Sequence, residues 1–192
     1  KKQDLVVTGK SSISVAAADG ALVWRHPWET RLDSNACAPI VVDENLVWIA
    51  SGYRRGCALL SIKDNQVTEL WKDKRISPSW SSAVQIDGHI YVTTMPGYLI
   101  CVEARTGKEK WRDRGTARGF EQGGLCAVDG TLIVIEGNTG NVVQVAVSSE
   151  AYEELGRISP FKSSRCWVAP VVAQKKLLVR SPKELVCLDI GQ

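Results

Sequence analysis

Six side chains in this sequence have the types needed to hold a ligand: Trp80, Ser81, Glu121, Gln122, Arg165 and Trp167. They fall in three polar connections, each just ahead of an apolar run. Two indoles in a polar setting can stack on a planar molecule, and a carboxylate, an amide and a guanidinium can orient it. The competing reading is that Trp80 and Trp167 plug the centre of the fold or pack between its layers. Covalent and metal chemistry has thinner support. No two of the six cysteines, Cys37, Cys57, Cys101, Cys126, Cys166 and Cys187, stand two or three apart, so zinc and redox spacings are missing. They read as reduced core cysteines. His26 and His89 lie far apart, each in a connection, and read as surface loop residues rather than ligands. No metal site is expected.

The elements that must position these side chains come from a repeat. The clearest copy runs from Tyr98 to Trp111: an extended run, a turn at Arg105-Thr106-Gly107, and a second extended run ending in tryptophan. Thr-Gly between two extended runs is a hairpin signal, because glycine accepts the positive φ of the turn. Weaker copies end at Trp24, with Asp19-Gly20 at the turn, and at Trp71, with Asn65 at the turn. A fourth runs from Val145 to Leu155, with leucine in the tryptophan slot, and a fifth breaks off after Leu185-Val186-Cys187-Leu188-Asp189. Slots at 24, 71, 111 and 155 lie roughly 40–50 residues apart, a spacing that points to propeller blades when the units are short strands.

A second hairpin precedes each of these, turning at Asp43-Glu44-Asn45, Asp87-Gly88-His89, Asp129-Gly130-Thr131 and Gln174-Lys175-Lys176. Each unit therefore holds four antiparallel strands, A to D from the axis outward. The A strands are almost wholly apolar, as expected where neighbouring blades cover both faces. The expected organisation is one β-propeller fragment, 1–192. Residues 1–25 form a partial blade, 37–71, 83–111 and 125–155 are full blades, and 168–192 form a second partial blade. The stretch 148–155 has some helical propensity, but the repeat favours strand there. Cys101 and Cys187 share one repeat slot with Ser14, Ser61 and Val145, which predicts a small buried position. Aligning the A strands puts Ala36, Trp80, Gln122 and Trp167 in one slot, with Cys37, Ser81, Gly123 and Val168 after it and Asn35, Ser79, Glu121 and Cys166 before it. Loops at a propeller mouth carry variable function, which is why the six ligand candidates are sought there. Arg54 and Arg55, in an insertion at 51–56, could meet an acidic partner or simply form a solvated tip.

The run Cys101-Val102-Glu103-Ala104-Arg105-Thr106-Gly107-Lys108-Glu109-Lys110-Trp111 resembles the tryptophan-docking motif of pyrroloquinoline-quinone (PQQ)-type β-propellers, and Cys187-Leu188-Asp189 matches its opening. The resemblance covers nearly the whole chain, with one good copy and the rest degenerate. It implies an all-β propeller of four-stranded blades in which Trp24, Trp71 and Trp111 dock between adjacent blades, Gly107 sits in the docking turn, and Leu155 is a weaker spacer. It implies a ring of roughly eight blades, of which four to five are present here as an incomplete arc. The family holds quinoprotein dehydrogenases, an outer-membrane assembly scaffold and many uncharacterised bacterial propellers. The resemblance therefore leaves two functions open. One is a non-catalytic binding or scaffold module for a protein, peptide or cell-envelope ligand, with no cofactor. The alternative is part of a PQQ-dependent dehydrogenase. That chemistry needs calcium on the quinone oxygens, a catalytic aspartate and, in many members, adjacent cysteines. A hard cation needs several converging oxygens, and Glu29, Asp33, Asn35 and Glu121 are spread over different blades with no Cys-Cys pair. The resemblance also implies a periplasmic or cell-envelope location.

Composition fits a globular domain: 192 residues, 44% hydrophobic and 23% charged. A net charge of +3 is too small to argue for nucleic acid or anionic lipid. No P-loop and no apolar run long enough to span a bilayer is present. The chain opens on Lys1 and drops straight into an extended stretch at 4–7, which reads as a piece of a longer protein. An arc with unpartnered end blades and a bare strand at 184–188 is expected to self-associate or to need the remaining blades.

Overall fold

The structure is a computed structural model and describes residues 4–8, 10–30, 37–115, 119–162 and 165–191. These form eighteen strands in five antiparallel sheets, with no helix. The first sheet holds β1 (Asp4–Thr8), β2 (Ser11–Ala16) and β3 (Leu22–Pro27). The second holds β4 (Ile40–Asp43), β5 (Leu46–Ser51), β6 (Gly56–Lys63) and β7 (Gln66–Asp73). The third holds β8 (Val84–Ile86), β9 (His89–Thr94), β10 (Tyr98–Glu103) and β11 (Glu109–Asp113). The fourth holds β12 (Leu125–Val128), β13 (Thr131–Ile135), β14 (Val142–Ala146) and β15 (Glu154–Ile158). The fifth holds β16 (Val171–Ala173), β17 (Lys176–Arg180) and β18 (Leu185–Asp189). Every sheet is a meander in which sequence neighbours pair. The described residues form an arc of propeller blades and do not close a ring.

Turn chemistry sets the meander. Asp87-Gly88, Asp129-Gly130 and Gln174-Lys175 place both turn residues at positive φ, the hairpin geometry whose twist matches the flanking strands. Asp64-Asn65 does the same between β6 and β7. Successive strands reverse direction, so the turns within β4–β5, β6–β7 and their counterparts lie on one face of the arc. The β5–β6-type loops and the crossings between sheets lie on the other, here called the crossing face.

Packing runs between sheets, in four apolar clusters. Trp28 closes on Val47, Ile49, Ala58 and Leu60 between the first and second sheets. Trp48, Leu59 and Ile76 meet Ile90, Val92, Ile100 and Val102 between the second and third. Tyr91, Leu99, Cys101 and Trp111 meet Leu132, Val134, Val143 and Val145 between the third and fourth. Ile133, Ile135 and Val142 meet Leu177 and Val179 between the fourth and fifth. The period-2 alternation is visible here: Ile90 and Val92 face one neighbour, Tyr91 the other. Burial peaks in the second strands, with β5 buried throughout, while the axial strands β4, β8 and β16 are only partly covered. The A strands, expected to be covered on both faces by neighbouring blades, are only partly buried.

The docking tryptophans are placed by a bulge. Trp111 pairs with Cys101 and Glu109 with Val102, leaving Lys110 as the extra residue. Trp24 opposite Ser14 and Trp71 opposite Leu59 repeat the pattern. The Trp71 indole N–H donates to the Ala104 carbonyl at 3.1 Å, and a Cβ on Gly107 would lie 2.7 Å from the ring. Gly107 also sits at φ +71°, so turn geometry and ring contact both call for glycine. The Trp111 N–H donates to the Ser148 carbonyl at 2.8 Å, with Tyr152 edge-on at 6.0 Å.

Three expectations about slots are corrected. In the fourth sheet Gln144 pairs with Gly156 and Val145 with Glu154, so Leu155 is the bulge residue and Gly156 holds the tryptophan slot. Leu155 points outward and is 48% exposed. The residues opposite the slot are Ser14, Leu59, Cys101 and Gln144, because the hairpins of the second and fourth sheets are two residues longer than the sequence alignment assumed. The slot shared by Cys101 and Cys187 is not uniformly buried: Cys101 is covered by the fourth sheet, whereas Cys187 is exposed.

Candidate functional site

Trp80 comes from the crossing between β7 and β8, and Trp167 from the crossing between β15 and β16. Although two sheets apart in the chain, their rings stack with centroids 5.0 Å apart and planes 16° from parallel. Both remain open to solvent, at 37% and 39% exposure. The Arg165 guanidinium lies 5.7 Å from the Trp167 centroid, within cation–π range. Because the indoles touch each other, no planar molecule fits between them; their outer faces and edges are what a partner can reach. Of the six candidates, the structure thus brings together Trp80, Trp167 and Arg165.

The other three lie elsewhere. Ser81 is buried, and its hydroxyl donates to Thr93 Oγ1 at 2.7 Å while Thr93 donates to the Gly123 carbonyl at 2.6 Å. That chain ties two neighbouring crossings together and uses up the hydroxyl. Glu121 and Gln122 are half-buried in a tight turn over 119–122, with Gln122 at φ +60°. No hydrogen bond or ring contact among the described residues carries either side chain to the indole pair. The glycines beside them serve close approach: a Cβ on Gly124 would sit 2.4 Å from the Ala169 backbone. Among the cation-site candidates, Asp33 and Asn35 lie outside the described residues, as does Ala36 of the alignment slot. Among the described residues no three His, Cys, Asp or Glu side chains converge.

Cys37, Cys57 and Cys101 are chemically quiet. Burial pushes Cys37 and Cys57 up to about 12 and Cys101 up to about 11, far from the thiolate form that reacts at neutral pH. The described cysteines are all unbridged.

The same crossing face also holds a groove that sequence reasoning reached only through Arg54. It has a volume of about 650 Å³ and is lined by Tyr53, Arg54, Lys74, Arg75, Ser77, Met95, Pro96, Tyr98 and Arg112. Its floor is a hydrogen-bonded chain. Trp28 Nε1 donates to Ser51 Oγ at 2.9 Å. Ser77 Oγ donates to the Ser51 carbonyl at 3.1 Å and accepts from the Arg54 amide at 2.9 Å. Arg55 lies over Trp28, its guanidinium 3.7 Å from the ring centroid. Arg75 is held by Asp73, whose carboxyl it keeps below the usual range by hydrogen bonding. Arg112 does the same for Glu109 and lies over Tyr98, together with Arg114. The sequence signal that could have found this groove is the positively charged pair 54–55 read together with Lys74, Arg75 and Arg112 at the starts and ends of neighbouring connections.

Among solved structures, the fold is similar to BamB from Moraxella catarrhalis, with a TM-score of 0.69, 14% identity, and 96% of this chain aligned to 52% of that one. It is also similar to the β-propeller domain of Cps50 (Swd1) from Myceliophteria thermophila, with a TM-score of 0.74, 13% identity, and 98% of this chain aligned to 66% of that one. The chain thus spans about half of the BamB chain and under two thirds of the second, and at these identities the likeness speaks for the fold alone. No curated protein matches the sequence. No helix among the described residues is long and apolar enough to cross a membrane. Residues 9–192 match the family model described as outer membrane protein assembly factor BamB, and the chain belongs to that family.

Proposed function

We propose that this chain is a non-catalytic binding and scaffold module that holds a protein partner on its crossing face. The observation that carries the reading is the exposed, mutually stacked Trp80–Trp167 pair with Arg165 beside it. Tryptophan and arginine dominate the energetics of protein interfaces, because a large rigid ring or a planar guanidinium buries much area for little lost conformational freedom. The family description, assembly of outer membrane proteins, supports a partner that is itself a protein and a place in the cell envelope, on the periplasmic side. The reading requires no cofactor. The alternative, part of a PQQ-dependent dehydrogenase, is not favoured: the indoles occupy each other's faces and leave no slot between them for a planar quinone.

The test is retention of cell-envelope proteins by the immobilised chain, identified by mass spectrometry, against Trp80→Ala and Trp167→Ala at unchanged circular dichroism. A protein held by the parent chain and lost from both variants is the expected result. Identical retention by all three removes the tryptophan pair from the interface. Bound-quinone absorbance and dye-linked alcohol oxidation on adding PQQ and calcium would replace the reading with the enzymatic one.

A further inference from the structure

We propose that the groove between the second and third sheets binds an extended acidic peptide segment of a partner protein. Arg54 and Lys74 would receive its carboxylates, and the Tyr53 and Tyr98 walls an apolar side chain. The inference rests on the protein-partner reading above and gives it a second, chemically defined contact on the same face.

Charge is the first argument. Among the described residues Arg75 and Arg112 are neutralised by Asp73 and Glu109, but no carboxylate pairs with Arg54 or Lys74. These two form the ridge between the groove and an adjoining hollow of about 400 Å³ whose lining includes Glu29, which among the described residues forms no ion pair with either. On the groove side the lining holds no carboxylate, and unpaired cations at a concave site attract anions and speed their encounter.

Construction is the second argument. Tyr53 and Arg54 are consecutive non-glycine residues at φ +53° and +64°, a backbone state that most residues avoid. The Arg54 amide is locked to Ser77, which is itself buried and bonded to Ser51 and Thr94, so the direction in which the Arg54 side chain leaves the backbone is set. With the backbone fixed, only the side chain's own torsions remain to be ordered on binding.

The shape and the opposite face decide the ligand class. The groove combines cations with two tyrosine rings, Met95 and Pro96, which suits alternating acidic and apolar side chains better than a bare inorganic anion. The tight-turn face carries Asp64, Asp87 and Asp129, with Asp43 already paired to Arg105 and Lys63, Lys108 and Lys175 at the same turns, so it offers an acidic segment mixed charge where the groove offers cations without a facing carboxylate.

The experiment is fluorescence anisotropy with a fluorescein-labelled peptide of alternating glutamate and leucine. Its glutamine–leucine counterpart and an oligothymidine serve as competitors. The protein is the full chain, compared with the Arg54→Asn/Lys74→Gln double variant, in which asparagine tolerates the positive φ, and with Lys63→Ala on the opposite face. The expected result is salt-sensitive binding of the glutamate peptide, weakened about tenfold or more in the double variant, as the loss of two charge-assisted contacts predicts. Binding should be unchanged in Lys63→Ala and poorly competed by either competitor. Equal binding by the double variant overturns the proposal. So does displacement by oligothymidine as effective as by unlabelled peptide, which marks a general polyanion surface. Failure here with successful partner capture through the tryptophan pair removes the groove alone. Failure of that capture with peptide binding intact removes the tryptophan reading and leaves the groove.

Discussion

Replacing Trp111 with alanine should destabilise the chain by about 3–5 kcal/mol, the range for truncating a large buried aromatic. The structure says why the cost sits in that range. The ring is 8% exposed and lies in the apolar cluster between the third and fourth sheets, next to Tyr91 and edge-on to Tyr152. Its N–H is the donor to the Ser148 carbonyl, so alanine leaves both a void and a carbonyl without that partner. Trp111→Phe keeps most of the area and loses the hydrogen bond, and should cost about 1–2 kcal/mol. Lys110→Ala, one residue away on the exposed outside of the bulge, should stay within about 0.5 kcal/mol. Urea unfolding followed by far-ultraviolet circular dichroism separates the three without relying on the fluorophore being removed. For a chain of this size the alanine variant should melt lower by roughly 6–20 °C. A loss below about 1 kcal/mol for Trp111→Ala, well under the range for buried aromatics, would refute inter-sheet docking as a source of stability. Equal losses for Trp111→Ala and Trp111→Phe would refute the packing part of the argument.

Gly107→Ala should cost about 1–3 kcal/mol, since it forces a Cβ against the Trp71 ring at an αL position; a neutral result in the same unfolding assay would mean the turn relaxes freely. Gly156→Trp restores a docking ring to the slot that lacks one, beside a cavity of about 570 Å³ and with nothing near the new Cβ. It should stabilise the chain by about 0.5–2 kcal/mol, and a drop in melting temperature would show that the slot does not accept the ring. Burial works to raise the Glu136 carboxyl, but hydrogen bonds from Arg157, Asn141 and Thr139 outweigh it and hold it below the usual range. A depressed carboxyl contributes stability above its unfolded value and loses it as pH falls through the folded one. Stability should therefore decline on the acid side, a decline that Glu136→Gln flattens, while Arg157→Ala at neutral pH costs about 3 kcal/mol by stranding the buried charge. β18 pairs with β17 alone among the described residues, and Leu185 is 66% exposed, so light scattering should show concentration-dependent association that Leu185→Lys reduces; a clean monomer at high concentration counts against it.

Much of this protein is written locally. Asp-Gly pairs and Asn65 mark turns because only certain residues accept positive φ, and an apolar run between two such turns has little choice but to become a strand. That logic is short-range, so four-stranded units and the all-β class can be read from the residues, while the docking role of a tryptophan at the end of the fourth strand is what the family resemblance implied. The slot residues themselves were less legible. The bulge adds a residue to the outer strand, and hairpins of two lengths alternate, so counting from turn to tryptophan put Leu155 where pairing puts Gly156. Register is a property of two strands at once, and a single sequence does not display it.

Tertiary structure alone decided the sites. Nothing in the sequence says that Trp80 and Trp167 touch, because the contact depends on the curvature of the arc and not on either neighbourhood. Nothing in the spacing of Ser81 separates a ligand contact from a hydroxyl spent on Thr93. A net charge of +3 conceals a division that folding creates. Hairpin turns favour aspartate and collect on one face, while the loops and crossings that carry Arg54, Lys74, Arg75 and Arg112 collect on the other, because each strand reverses the chain.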